Sequence, residues 1–227
     1  MNKIIKALLC VAATAVSMFA APVIWVDWTS GTTGTNGSAA GTLDIGGTIV
    51  DVTYTGQIAF IQTGVGTNYF NPSTPYISPA VDNAPPAAEM IALSQATTKT
   101  LTFSKPIDNL FFAVVSLNGN GYQFDSDFEI VSTGCGYWGC GGLTKVAVPG
   151  GFQMNSTGGE PHGVVRFTSA ISSITWTSLT NEYWNGFTVG TYGLAENPSA
   201  VPEPSTGILI ASALGAALFS LRRHRHQ

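Results

Sequence analysis

Alternation of apolar and polar positions with period two dominates the chain between its ends and predicts β-strands. The segments are Val23–Thr29, Thr48–Thr55, Gln57–Gln62, Lys99–Ser104, Asn109–Leu117, Tyr122–Val131, Gly163–Thr168, Ser173–Leu179 and Tyr183–Thr191. They are rich in Val, Ile, Thr, Phe, Tyr and Trp, and Gly, Pro, Asn or Ser separates most of them. No stretch repeats with a helical period. Ala87–Ala96 is the best helix candidate and reads equally well as a strand containing Met90 and Leu93. Nine or more strands with frequent turns predict an all-β fold, an antiparallel two-sheet sandwich of jelly-roll-like type. The proline-rich run Asn68–Pro86 is expected to be a long surface excursion, and Ala195–Ala200 a short linker.

Both ends break the pattern. Lys3 and Lys6 precede an apolar run, Ala7–Phe19, with small residues after it, which is the layout of an N-terminal signal peptide over residues 1–21. Ala15-x-Ser17 satisfies the small-x-small rule, whereas cleavage after Ala20 or Ala21 would place Met18 or Phe19 at the minus-three position, and the sequence leaves the choice open. Gly207–Leu221 carries no charge and is predicted as a single apolar helix, and the uncharged run from Pro204 to Leu221 reaches the short end of the spanning range. Arg222, Arg223 and Arg225 follow in a basic tail over 222–227 and hold that end in the cytoplasm. The lysines hold the other end inside too, so the β-rich domain at 22–198 is placed outside. Residues 199–206 form a linker.

Within that linker lies Val201-Pro202-Glu203-Pro204-Ser205. A Pro-Glu-Pro motif, a short apolar helix and an arginine cluster at the C-terminus together resemble the PEP-CTERM sorting signal of Gram-negative bacteria. The resemblance covers residues 201–227 and implies recognition by an exosortase, a membrane-embedded cysteine transpeptidase, and removal of the apolar tail. Two prolines keep the segment extended at the membrane surface, where an enzyme can reach it. The expected partners are thus the Sec translocon and an exosortase during export, with the membrane held through the C-terminal helix before processing. The expected location is the outer surface or extracellular matrix, after transient anchoring in the inner membrane.

Only 10% of residues are charged, and residues 22–198 hold twelve carboxylates against four cations. So acidic a domain is not expected to bind nucleic acid through phosphate contacts. Cys135 and Cys140 are the two cysteines left after signal removal, in an oxidising compartment, and are expected to form a disulfide across a glycine-rich turn. Tyr137 and Trp138 between them are candidates for stacking on a sugar ring. Asp125, Asp127 and Glu129 alternate with Phe124, Phe128 and Ile130, so they are expected on one strand face as a candidate Ca²⁺ site. No other cofactor is indicated. His162, in the loop Gly159-Glu160-Pro161-His162, has no G-x-S-x-G elbow to serve, and H-E-x-x-H is absent. Glu182, beside Tyr183 and Trp184, is the one acid among aromatics.

The resemblance associates the chain with exopolysaccharide and biofilm matrix. The expectation is therefore an exported, non-catalytic adhesive or polysaccharide-associated module. The alternatives are a secreted carbohydrate-active hydrolase, marked by a cleft holding two carboxyls, and a purely structural coat component.

Overall fold

A computed structural model describes residues 22–195. The signal peptide, the linker with its Pro-Glu-Pro motif, the apolar helix, the basic tail and residues 196–198 lie outside the described residues.

The described chain is nearly all β, in two antiparallel sheets. The strands, in chain order, are β1 (Ile24–Trp25), β2 (Asp27–Thr32), β3 (Gly34–Ile45), β4 (Thr48–Ile58), β5 (Phe60–Thr63) and β6 (Glu89–Leu93). Then come β7 (Thr98–Asp108), β8 (Leu110–Val115), β9 (Gly121–Phe124), β10 (Glu129–Gly134) and β11 (Gly142–Val148). The last are β12 (Gly151–Thr157), β13 (His162–Phe167), β14 (Ile171–Ser178), β15 (Asn185–Thr191) and β16 (Gly193–Leu194). One sheet has the order β10-β13-β8-β15-β6-β5, with β1 also on β15; the other has β11-β12-β9-β14-β7-β4-β3-β2, with β16 on β7.

The core lies between the sheets. Phe112 of β8 sits at its centre, stacked on Phe187 at 4.9 Å and edge-on to Trp176 at 5.3 Å and Phe124 at 5.5 Å. Tyr54 closes on Phe187 at 5.6 Å from the opposite sheet. The second sheet reads as expected of a half-buried one: Val50, Val52, Tyr54, Leu101, Phe103 and Trp176 point inward, while Thr53, Thr55 and Thr102 are exposed. The first sheet differs. β6, β8 and β15 are buried at every position, and so are buried on both faces.

What covers the outer face of that first sheet is the proline-rich run expected to be a surface excursion. Phe70, Tyr76 and Val81 are buried there in a second cluster with Met90, Phe111, Val115 and Val164. The segment has a 3-10 turn at Thr74–Tyr76 and otherwise little regular structure, yet it forms a third layer. Ala87–Ala96 resolves as strand β6. Four strands fall outside the segments expected from the sequence: β3, the hairpin of β11 with β12, and the two-residue β16. The predicted strand Tyr122–Val131 is two strands in different sheets, β9 and β10, joined by a crossing at Asp125–Phe128.

Candidate functional site

Five separate stretches meet at one end of β8 around an open cleft of about 500 Å³. Tyr69 comes from the covering layer, Trp138 from the disulfide loop, and Tyr183 and Trp184 from the turn between β14 and β15. Facing them are Ser116 and Asn118 from the end of β8, Glu160 from the loop before β13, and Glu182.

The aromatic wall is continuous. Tyr69 meets Trp184 edge-on at 5.0 Å and Tyr137 at 5.1 Å, and lies near-parallel to Trp138 at 6.4 Å. Phe60 backs Trp184 at 5.1 Å. Trp138 remains 54% exposed and Tyr183 94% exposed, so apolar ring surface stays in contact with water. Rings in this arrangement offer flat faces on which another ring can stack.

The disulfide loop is held from beneath. Cys135 and Cys140 are bonded. The Cys140 carbonyl accepts the Glu160 amide at 2.8 Å, and the Pro161 carbonyl accepts the Leu117 amide at 3.1 Å. Gly136 lies directly on the His162 ring, where a Cβ would stand 2.2 Å from the ring carbon Cγ. Gly159 has φ of +73° and would drive a Cβ to 2.4 Å from the Cys140 carbonyl, so both glycines are required for this close approach.

The two carboxyl groups differ in environment. Glu160 accepts from the Ser116 hydroxyl on Oε2 and from the Asn118 amide on Oε1 at 2.5 Å. Ser116 is held at φ of 57°, a conformation uncommon outside glycine, at the point where β8 ends beside the cleft. Glu182 accepts on Oε1 alone, from Asn120 at 3.4 Å and from Asn185. Asn185 in turn accepts the buried Tyr122 hydroxyl. Among the described residues Oε2 of Glu182 is buried with no hydrogen-bond partner. Burial pushes the Glu182 carboxyl up to about 7, opposed by the Asn120 amide and helped by the nearby Glu160 charge.

His162 is buried on β13, with Nδ1 bonded to the Tyr76 hydroxyl at 2.8 Å and Nε2 without a partner among the described residues. Burial presses its pKa down to about 4. It supports the cleft floor and does not line the cleft.

Asp125, Asp127 and Glu129 do not share a strand face. Because the chain leaves one sheet and joins the other between Phe124 and Glu129, each carboxylate finds its own partner. Asp125 accepts the Thr175 amide at 3.1 Å, Asp127 pairs with Lys145, and Glu129 pairs with Arg166 at 2.6 Å. Among the described residues no group of three or more metal-ligating side chains comes together. Trp138 lines the cleft, and Tyr137 packs behind it against Tyr69 and Trp138. Glu182 was legible from its neighbours; Glu160, Ser116, Asn118 and Tyr69 were not, since no spacing along the chain joins positions 69, 116, 160 and 182. The sorting residues Val201 to Ser205 and Arg222, Arg223 and Arg225 fall outside the described residues.

Residues 200–225 match the PEP-CTERM protein-sorting motif. The chain carries a PEP-CTERM sorting signal. Signals of this kind are processed by exosortase, and the match supports an exported protein sorted to the bacterial cell surface. The match does not extend into the β domain, and no curated protein and no solved structure matches the chain.

Proposed function

We propose that the β domain of this PEP-CTERM protein is a non-catalytic polysaccharide-binding module, and that the cleft beside the disulfide loop is its binding site. One observation carries this reading: exposed aromatic rings and hydrogen-bonding side chains face each other across a single open cleft. Sugar rings have apolar faces that stack on Trp and Tyr, and hydroxyl edges that pair with amides, hydroxyls and carboxylates. Weak contacts of this kind add up when many copies are displayed on one surface. The surface address supplies that display. In this reading the Sec pathway exports the chain across the inner membrane of a Gram-negative cell, and the apolar tail anchors it until processing.

The alternation of β7, β8, β9 and β10 between the sheets, repeated by β13, β14 and β15, supports a jelly-roll-like topology. Lectin domains use that architecture, an argument from fold alone. The test is binding of matrix polysaccharides by affinity electrophoresis, comparing the exported protein with Trp138→Ala and Trp184→Ala. Retardation lost in both variants, with melting temperature kept, supports the reading; retardation unchanged in both sinks it.

A second reading, a carbohydrate-active hydrolase, is favoured by one feature. Glu160 and Glu182 line the same cleft in contrasting environments, as an acid and a base or nucleophile would. Release of reducing sugar from a bound polysaccharide, abolished by Glu182→Gln, would move the protein into that class.

A further inference from the structure

We propose that the cleft selects a cationic glycan, a polysaccharide bearing free, protonated amino-sugar units, over neutral and uronic-acid glycans. The proposal rests on the carbohydrate reading above and adds the charge of the ligand to it.

Charge complementarity is the ground for the choice. The cleft contains two carboxyl groups, and none of the residues lining it is a cation. Of the four cations of the described domain, three are committed elsewhere and the fourth is not a cleft residue. Lys145 pairs with Asp127 and Arg166 with Glu129. The buried Lys99 ammonium donates to the Gln95 and Thr97 carbonyls at 2.6 Å each and to Ser178 at 2.8 Å. Lys105 is exposed on β7 and is not among the cleft residues. Carboxyl groups grouped without a counter-charge attract a cation and repel an anion, and low-dielectric aromatic walls strengthen both effects. A uronate in this cleft would meet like charge on Glu160, which is discrimination by repulsion.

Glu160 is built to receive an ammonium. Each of its oxygens accepts one hydrogen bond, from Ser116 and from Asn118, which fixes the group. A carboxylate has about four lone-pair sites, so acceptor capacity remains for a ligand. The aromatic wall serves the same ligand twice. Trp138 and Trp184 can stack on the apolar face of the sugar, and an ammonium near Tyr69 or Trp138 gains from the electron-rich ring faces. Acetylating the amine removes the charge and two of its three N–H donors, so the two forms of one sugar report the contribution of the ammonium group, and the salt dependence reports the part of it that is charge.

The experiment is calorimetric titration of the exported protein with a glucosamine oligomer, its N-acetylated counterpart, an unsubstituted glucan oligomer and an oligogalacturonate. The free-amine oligomer is expected to bind about tenfold tighter than the acetylated and neutral ones, with no detectable binding of the uronate. Glu160→Gln should bring the amine oligomer down to the acetylated level, with the thermal melt as the folding control. Should that variant not fold, raising salt on the unaltered protein from about 50 mM to about 500 mM gives the same readout, because screening removes the amine preference and leaves stacking in place. Equal affinity for the amine and acetylated oligomers, or a preference for the uronate, overturns the charge assignment while polysaccharide binding stands. Spermidine binding as tightly as the glucosamine oligomer also overturns it, by exposing a general cation site. Failure of every glycan to bind a folded protein overturns both readings together.

Discussion

Two aromatic clusters share one molecule and one ring geometry but differ in what surrounds them. Phe112, Phe124, Trp176 and Phe187 lie between the sheets with no more than 1% of their surface exposed. Tyr69, Tyr137, Trp138 and Trp184 meet at similar distances and angles, yet the rings of Tyr137 and Trp138 are about half exposed. The first cluster comes from regular strands, the second from loops. Rings on strands stabilise the fold, whereas rings brought together by loops and left wet point to a ligand.

The sharpest way to break this contrast is substitution on both sides of it. Phe112→Ala is expected to cost about 3–5 kcal/mol of stability in chemical denaturation, by leaving a cavity where four rings meet. Trp138→Ala is expected to change stability by less than about 1 kcal/mol while removing glycan binding. Comparable losses of stability from both would erase the distinction.

Removing the disulfide is the next largest effect. Cys135→Ser with Cys140→Ser frees a small loop, for a loss of about 2 kcal/mol at most. Because the loop carries Trp138 and is bonded to Glu160, glycan affinity should fall further than stability does. A stability loss with affinity intact would show that the loop holds its shape without the bond.

The titration of the site gives a subtler test. Glu182 is raised in the folded protein from its usual 4.5 to about 7, so between those values the native state holds the extra proton. Stability from this group therefore falls as pH rises through that window, and Glu182→Gln should flatten the slope. His162 works in the opposite sense, lowered from 6.5 to about 4. The unfolded chain binds the proton more tightly, so stability falls as pH drops through that range, and His162→Gln should flatten the acid limb. Thermal melts across pH 4 to 8 read both. Smallest of all, Lys145→Ala at the exposed pair with Asp127 is expected to cost less than about 1 kcal/mol, measured by the same melts.

The strands that sequence pattern reached are those whose inward positions carry large apolar groups, as in β7, β14 and β15. β3 alternates just as regularly, but Gly37, Ala39 and Gly41 occupy its inward positions beside Leu43. A Cβ on Gly41 would stand 2.6 Å from the Asp27 carbonyl and 2.9 Å from the Trp28 ring, so the tight packing demands residues that carry no hydropathic signal. The opposite error arose at Asp125 to Glu129. Phe124 and Phe128 both enter the inter-sheet core, 5.5 Å apart, and mimic one continuous strand across a crossing between sheets. For the cleft, the Glu182–Trp184 corner and Trp138 on the disulfide loop were visible locally. The rest assembles from stretches that meet only after the sandwich has closed, and the proline-rich layer supplying Tyr69 resembles an ordinary loop until the sheet beneath it is known.

The bond between Cys135 and Cys140 also bears on timing. It forms in oxidising surroundings and not in a reducing cytoplasm. Trp138 is carried on the loop that this bond closes, and the Cys140 carbonyl anchors the backbone amide of Glu160 in the loop before β13. A newly made chain therefore reaches the far side of the membrane with this loop still open. Closure of the loop is coupled to translocation, and under the proposed function the sugar-binding surface is complete only after export.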